Sequence, residues 1–134
     1  MSSYQTVRAT VIDAVREYCM EHYFRPYIWV EVDEACRVPE EYVQDGMIIL
    51  DIDDEAVRSF DMNDECLSFF ARFGDENDAM EVVVPLNRIV HVAPAEEASS
   101  GASFILTPTP PELVAKLTGN PVPAAAPRRP MRIK

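Results

Sequence analysis

Between Tyr27 and Val92 the chain repeats one pattern: a short run of β-branched and aromatic residues, then a turn, at intervals of about ten residues. The runs are Tyr27 to Val32, Gly46 to Ile52, Ser59 to Met62, Leu67 to Phe73, Met80 to Val84 and Ile89 to Val92. Asp45-Gly46, Asn63-Asp64 and the polar stretch after Gly74 supply turns, and Pro85 ends the fifth run. Connections this short join antiparallel neighbours. The pattern predicts a mainly β fold, an antiparallel meander curled into a small barrel or sandwich. It contains no strand–helix alternation and no Gly-rich phosphate loop, which argues against a dinucleotide-binding domain.

Before the strands comes a helix, expected over about residues 4–24. Val7, Val11, Val15 and Cys19 recur every fourth position, and Ile12 and Tyr18 widen the stripe. Ser3 is placed to cap its start, and Pro26 bars its continuation. One amphipathic helix cannot bury its stripe alone. It must pack on the sheet, on a partner chain, or on both, so a homodimer with Val7, Val11 and Val15 at its interface is expected.

The charge of the chain is uneven. Its 134 residues carry a net −11. Residues 1–107 hold seven basic and 22 acidic side chains, or −15, whereas residues 108–134 hold five basic residues and Glu112 alone, or +4. All twelve aromatics lie at or before Phe104, and seven of the eleven prolines at or after Pro108. Residues 1–106 therefore read as one folded domain and 107–134 as a Pro-rich, mostly disordered tail. Within the tail, Thr109 to Gly119 has a capping residue, an early proline and a terminal glycine, the marks of a short helix that is marginal in isolation. The acidic domain argues against a broad nucleic-acid footprint. No apolar run approaches the roughly 20 residues of a membrane span, and the start lacks the pattern of a signal peptide, so a cytoplasmic protein is expected.

No catalytic or metal-binding constellation stands out. Cys19, Cys36 and Cys66 are an odd number without a C-x-x-C pair, and His22 and His91 sit in no ligand motif. There is no G-x-S-x-G elbow. The run Asp51-Ile52-Asp53-Asp54-Glu55 lacks the spacing of an EF-hand loop and reads as a solvated face. No cofactor is implied.

Three segments, taken in order, resemble the stringent starvation protein B family, adaptors for the ClpX–ClpP protease. Val38 to Ile52 is similar to the family's V-P-x-E-Y-x-x-D-G-x-I-x-L-x-I run. Phe69 to Gly74 resembles its F-x-A-R-F-G strand, followed by V-x-V-P-L at Val82 to Leu86. The ending Arg129-Pro130-Met131-Arg132-Ile133-Lys134 is similar to its basic–apolar tail. The resemblance implies an Sm-like, SH3-like, partly open β-barrel behind a helix that helps form a homodimer. It implies a non-enzymatic adaptor whose barrel binds ssrA-type degradation tags and whose last six residues dock on the N-terminal zinc-binding domain of ClpX. Met47, Ile49, Ala56, Phe70, Ala71, Arg72 and Phe73 are then the expected peptide-binding residues. Alternation supports part of that set. Met47 and Ile49 point away from Ile48, Leu50 and Ile52, and Phe70 and Arg72 away from Leu67, Phe69 and Ala71. Ala71 is the small residue of an aromatic run and leaves room for a groove. Phe69, Ile49 and Phe73 are equally readable as plain core. Two other functions stay in view: an Sm-like RNA-binding module, against which the acidic domain argues, and a small hydrolase using an acid pair.

Overall fold

A computed structural model describes residues 4–74 and 78–120. Helix α1 (Val7–Glu21) precedes strands β1 (Pro26–Glu31), β2 (Met47–Asp51), β3 (Arg58–Met62), β4 (Cys66–Ala71), β5 (Met80–Pro85), β6 (Ile89–Pro94) and the short β7 (Ala102–Ser103), and helix α2 (Pro111–Thr118) follows. The strands form two antiparallel sheets, one ordered β2-β1-β6-β7 and the other β3-β4-β5. The sheets remain open rather than closing into a continuous barrel. A single bridge, Arg37 to Val83, stitches the segment after β1 to the outer side of β5.

The expected alternation sets which side chains meet between the sheets. Ile28 and Val30, Ile48 and Leu50, Leu67 and Phe69, and Val82 and Val84 face inward and are buried. Asp45 and Gly46 both take positive φ, as the two-residue turn of a twisted hairpin requires, and Gln44 and Met47 exchange backbone hydrogen bonds across it.

Helix α1 departs from its expected cap and buries only part of its expected stripe. Thr6 is the N-cap, its hydroxyl accepting from the Ala9 N–H at 3.2 Å, and Ser3 lies outside the described residues. The Asp64 carboxylate in the β3–β4 turn accepts from the Gln5 and Thr6 N–H groups and holds the helix start to the sheet. The buried residues are Ala9, Ile12, Arg16 and Cys19. Val11 and Val15 pack at the flank of the core, and Val7 is 77% exposed. Ile12 and Cys19 of the stripe are thus buried while its valines sit at the flank or outside, because the small Ala9 permits close approach and Arg16 finds partners inside.

Residues 107–119, which composition assigns to the tail, lie against the domain. The Arg88 guanidinium donates to the Thr107 carbonyl, and Asn87 donates to the Thr107 carbonyl and to the Thr109 hydroxyl. Thr109 in turn donates to Asp33 at 2.7 Å. Leu113 is buried and Lys116 pairs with Glu65 at 2.7 Å. Thr109 is thus occupied by Asp33 rather than by capping, and the N-cap of α2 is Pro110. Gly119 ends α2 in the left-handed region that favours glycine. The composition boundary near 107 marks a change in residue usage, and packed structure continues past it.

Candidate functional site

β2 is an edge strand of its sheet and β3 an edge strand of the other. Where the open side of β2 approaches the end of β4, the surface dips into two adjoining cavities. One, of about 360 Å³, is lined by Tyr27, Ile49, Phe69, Ala71, Arg72 and Phe73, with Leu50, Asp51 and Ala56. The second, of about 490 Å³, is lined by Arg58, Phe70, Ala71 and Arg72, with the loop residues Asp54 to Val57 and Ala79. Ala56, Ala71 and Arg72 belong to both, so the two cavities form one groove with an apolar and a polar chamber.

Local structure explains the shape. Ala71 is buried and follows Phe69 and Phe70, so its methyl group leaves space where its neighbours would fill it. Ala56 sits in the β2–β3 connection, whose turn is closed by the Ala56 and Val57 N–H groups donating to the Asp53 carbonyl. Arg25 anchors the same corner through an ion pair to Asp51 at 2.6 Å. Between Arg58 and Asp61 the pairing of β3 with β4 shifts register, and Ser59 takes a φ of 56°. A bulge of this kind bends the strand and re-aims its side chains. It leaves Arg58 opposite Phe70 on the polar chamber.

The arginines divide sharply. Arg8 donates to the Leu86 and Ile105 carbonyls, and Arg16, Arg25, Arg37 and Arg88 each form an ion pair. Among the described residues, Arg58 and Arg72 have neither an ion pair nor a hydrogen-bond partner, and both line the polar chamber. Five of the domain's seven cations are committed to the fold, and the other two stand together at the groove.

Of the residues expected from the sequence, Ile49, Ala56, Phe70, Ala71, Arg72 and Phe73 come together here. Ile49 is 51% exposed and Phe70 41%, so neither is plain core, whereas Phe69 is. Met47 lies at the opposite end of β2, across from Glu31, and lines neither cavity. Arg129 to Lys134 lie outside the described residues.

Two residues were missed from the sequence. Arg58 is one, since a lone cation at the start of a short strand carries no signal until the bulge aims it. Arg16 is the other. Its Nε donates to the Ile52 carbonyl at 2.7 Å, its terminal nitrogen pairs with Asp54 at 3.0 Å, and its guanidinium lies 3.9 Å from the Phe60 ring centre. It ties α1 to the loop that carries Ala56.

Burial pushes the Cys19 and Cys36 thiols up to about 11, so both are protonated near neutral pH and poor nucleophiles. Among the described residues no cluster of three or more His, Cys, Asp and Glu side chains could hold a metal ion, and no helix is long and apolar enough to cross a membrane.

The chain matches the stringent starvation protein B family over residues 2–121, a span that contains the groove and ends before the basic terminus. It is 26% identical over 98 residues to the stringent starvation protein B homolog of Haemophilus influenzae, covering 72% of this chain. The aligned part spans 63% of that relative's length. With a match over most of its length, the chain belongs to the stringent starvation protein B family.

Proposed function

We propose that this protein is a non-enzymatic adaptor that binds ssrA-type degradation tags in the groove between its two sheets. It delivers the tagged chains to the ClpX–ClpP protease through Arg129 to Lys134, which dock on the N-terminal zinc-binding domain of ClpX. The observation that carries this reading is the two-chambered groove with its pair of uncommitted arginines. An extended peptide presents side chains alternately and needs pockets of matching chemistry. The chamber at Ile49 and Phe73 suits an apolar side chain, and Arg58 and Arg72 suit a carboxylate or carbonyl of the same peptide. Family membership supports the assignment, and the acidic domain disfavours the RNA-binding alternative. A homodimer, with α1 contributing Val7, Val11 and Val15, belongs to the same proposal.

The test is fluorescence anisotropy with an ssrA-type peptide. Wild type binds at or below tens of micromolar, roughly the weak end of peptide recognition. Ala71→Gln fills the floor shared by both chambers, and Arg72→Gln removes one cation; each weakens binding about tenfold or more while the melting transition stays cooperative. Absence of any anisotropy change with the wild type sinks the proposal. Deleting Arg128 to Lys134 leaves peptide binding intact and abolishes accelerated degradation by ClpX–ClpP.

A further inference from the structure

A third cavity, of about 550 Å³, lies where α2 ends. Val38 and Pro39 form a buried floor, Met80 and Leu117 are half-buried walls, and Glu40 and Glu41 are exposed at the rim. Arg37 also faces it, but its charge is taken by Glu81 at 3.0 Å. No ion pair among the described residues engages Glu40 or Glu41. The C-terminal end of α2, with Thr118 in the lining, adds the partial negative charge of its last carbonyls. The site is an apolar recess ringed by negative charge, and it has a volume typical of ligand pockets.

We propose that the occupant is the chain's own basic terminus, residues 128–134, docked in cis. Its composition is the complement of the recess: Arg128, Arg129, Arg132 and Lys134 with no acid, and Met131 and Ile133 between them. Its reach is sufficient. Met131 lies eleven positions after Asn120, a span of up to roughly 40 Å at full extension, while the recess begins at Leu117 itself. A segment tethered beside its site acts at an effective concentration of the order of millimolar, so a weak contact is populated.

This contact has a consequence that rests on the adaptor reading. The segment that docks on ClpX would be held against the domain until ClpX competes for it, and the peptide groove would be unaffected. The two sites share no lining residue, although Ala79 borders one and Met80 the other.

The experiment is ¹⁵N–¹H NMR of the full chain, with neither tag peptide nor ClpX present, so it is independent of whether the adaptor reading holds. Wild type is compared with a variant carrying Arg128→Gln, Arg129→Gln, Arg132→Gln and Lys134→Gln, and with Glu40→Gln/Glu41→Gln. The proposal expects amide shifts at Cys36, Glu40, Glu41, Met80 and Leu117 between wild type and the tail variant. It also expects these differences to fade in high salt and to be unchanged on dilution. In the Glu40→Gln/Glu41→Gln protein the tail amides move toward their positions in the isolated tail peptide. Identical spectra at those residues overturn the proposal. So do shifts that vanish on dilution, which mean docking between chains, and shifts at Ala56, Arg58 or Ala71 instead, which mean the tail occupies the peptide groove.

Discussion

Replacing Arg16 with methionine should damage both the fold and the groove, and the geometry says by how much. The Arg16 side chain is only 11% exposed. Removing its Nε donor strips the Ile52 carbonyl of a 2.7 Å partner in a buried setting, at a cost of about 1–3 kcal/mol. The face-on contact with Phe60 contributes about 0.5–2 kcal/mol. The ion pair adds little, about 0–1 kcal/mol, because Asp54 is 75% exposed. Methionine recovers part of this through apolar packing, leaving a net loss of about 2–4 kcal/mol. At roughly 4 °C per kcal/mol for a domain of this size, the melting temperature should fall by about 8–16 °C. Circular dichroism on heating, with urea titration as a second measure, reads that number. Arg16→Lys keeps the charge and the stem but not the planar donor, and should fall between. The mutation also frees the residue 52–57 loop that carries Ala56, so tag-peptide affinity should drop at temperatures where the protein is still folded. A loss below about 0.5 kcal/mol for Arg16→Met would refute the reasoning, since it would mean the guanidinium is not what joins helix to loop.

Two further outcomes follow from other anchors. Hydrogen bonds from the Gln5 and Thr6 N–H groups hold the Asp64 carboxyl below its ordinary range, so its contribution to stability is present above the unfolded carboxylate value near pH 4 and is lost as pH falls through the lower folded value. Asp64→Asn should therefore flatten the loss of stability as pH falls below about 4 in acid titrations, and an unchanged slope would exclude Asp64 as a source of it. Thr109→Val removes the hydroxyl that bridges Asn87 and Asp33, and should raise amide exchange across residues 107–119 while leaving exchange in β4 unchanged. Equal protection in both proteins would show that Leu113 and the Lys116–Glu65 pair hold the segment without the latch.

The strands were legible because a two-residue period is local information: Leu67, Phe69 and Ala71 on one face and Phe70 and Arg72 on the other follow from β geometry alone, and the structure buries the first set. The turn at Asp45-Gly46 was legible for the same reason, since positive φ selects residue type on the spot. The buried face of α1 was legible only in part, through Ile12 and Cys19. Counting valines treats arginine as polar and therefore outward, yet Arg16 is buried because the Ile52 carbonyl, 36 positions away, satisfies it. A helix within 109–119 was legible, but what holds it to the domain was hidden for the same reason. Its prolines resemble those of a disordered tail, and what orders it is Asp33, Asn87 and Arg88, none of which its own composition reveals. Arg58 became visible only through the bulge at Ser59. Local periodicity finds elements; long-range polar partners decide which face and which tail are held.

Electrostatics then separate what the two ends of the molecule can bind. A domain at −15 repels acidic peptides from a distance, and it attracts its own +4 extension. At physiological ionic strength charges more than about 8 Å apart are largely screened, so remote repulsion fades while contacts inside a groove persist. Under the proposed function Arg58 and Arg72 matter for that reason: they would supply the local positive charge that an acid-bearing peptide needs to settle on an acidic surface. The reverse holds at the recess beside α2, where Glu40 and Glu41 are uncompensated and the nearest cation, Arg37, is already paired. Two surfaces of opposite local charge fit on one small domain because its arginines are distributed unevenly. Ion pairs hold four of the seven in residues 1–107, backbone carbonyls hold Arg8, and the other two face one groove.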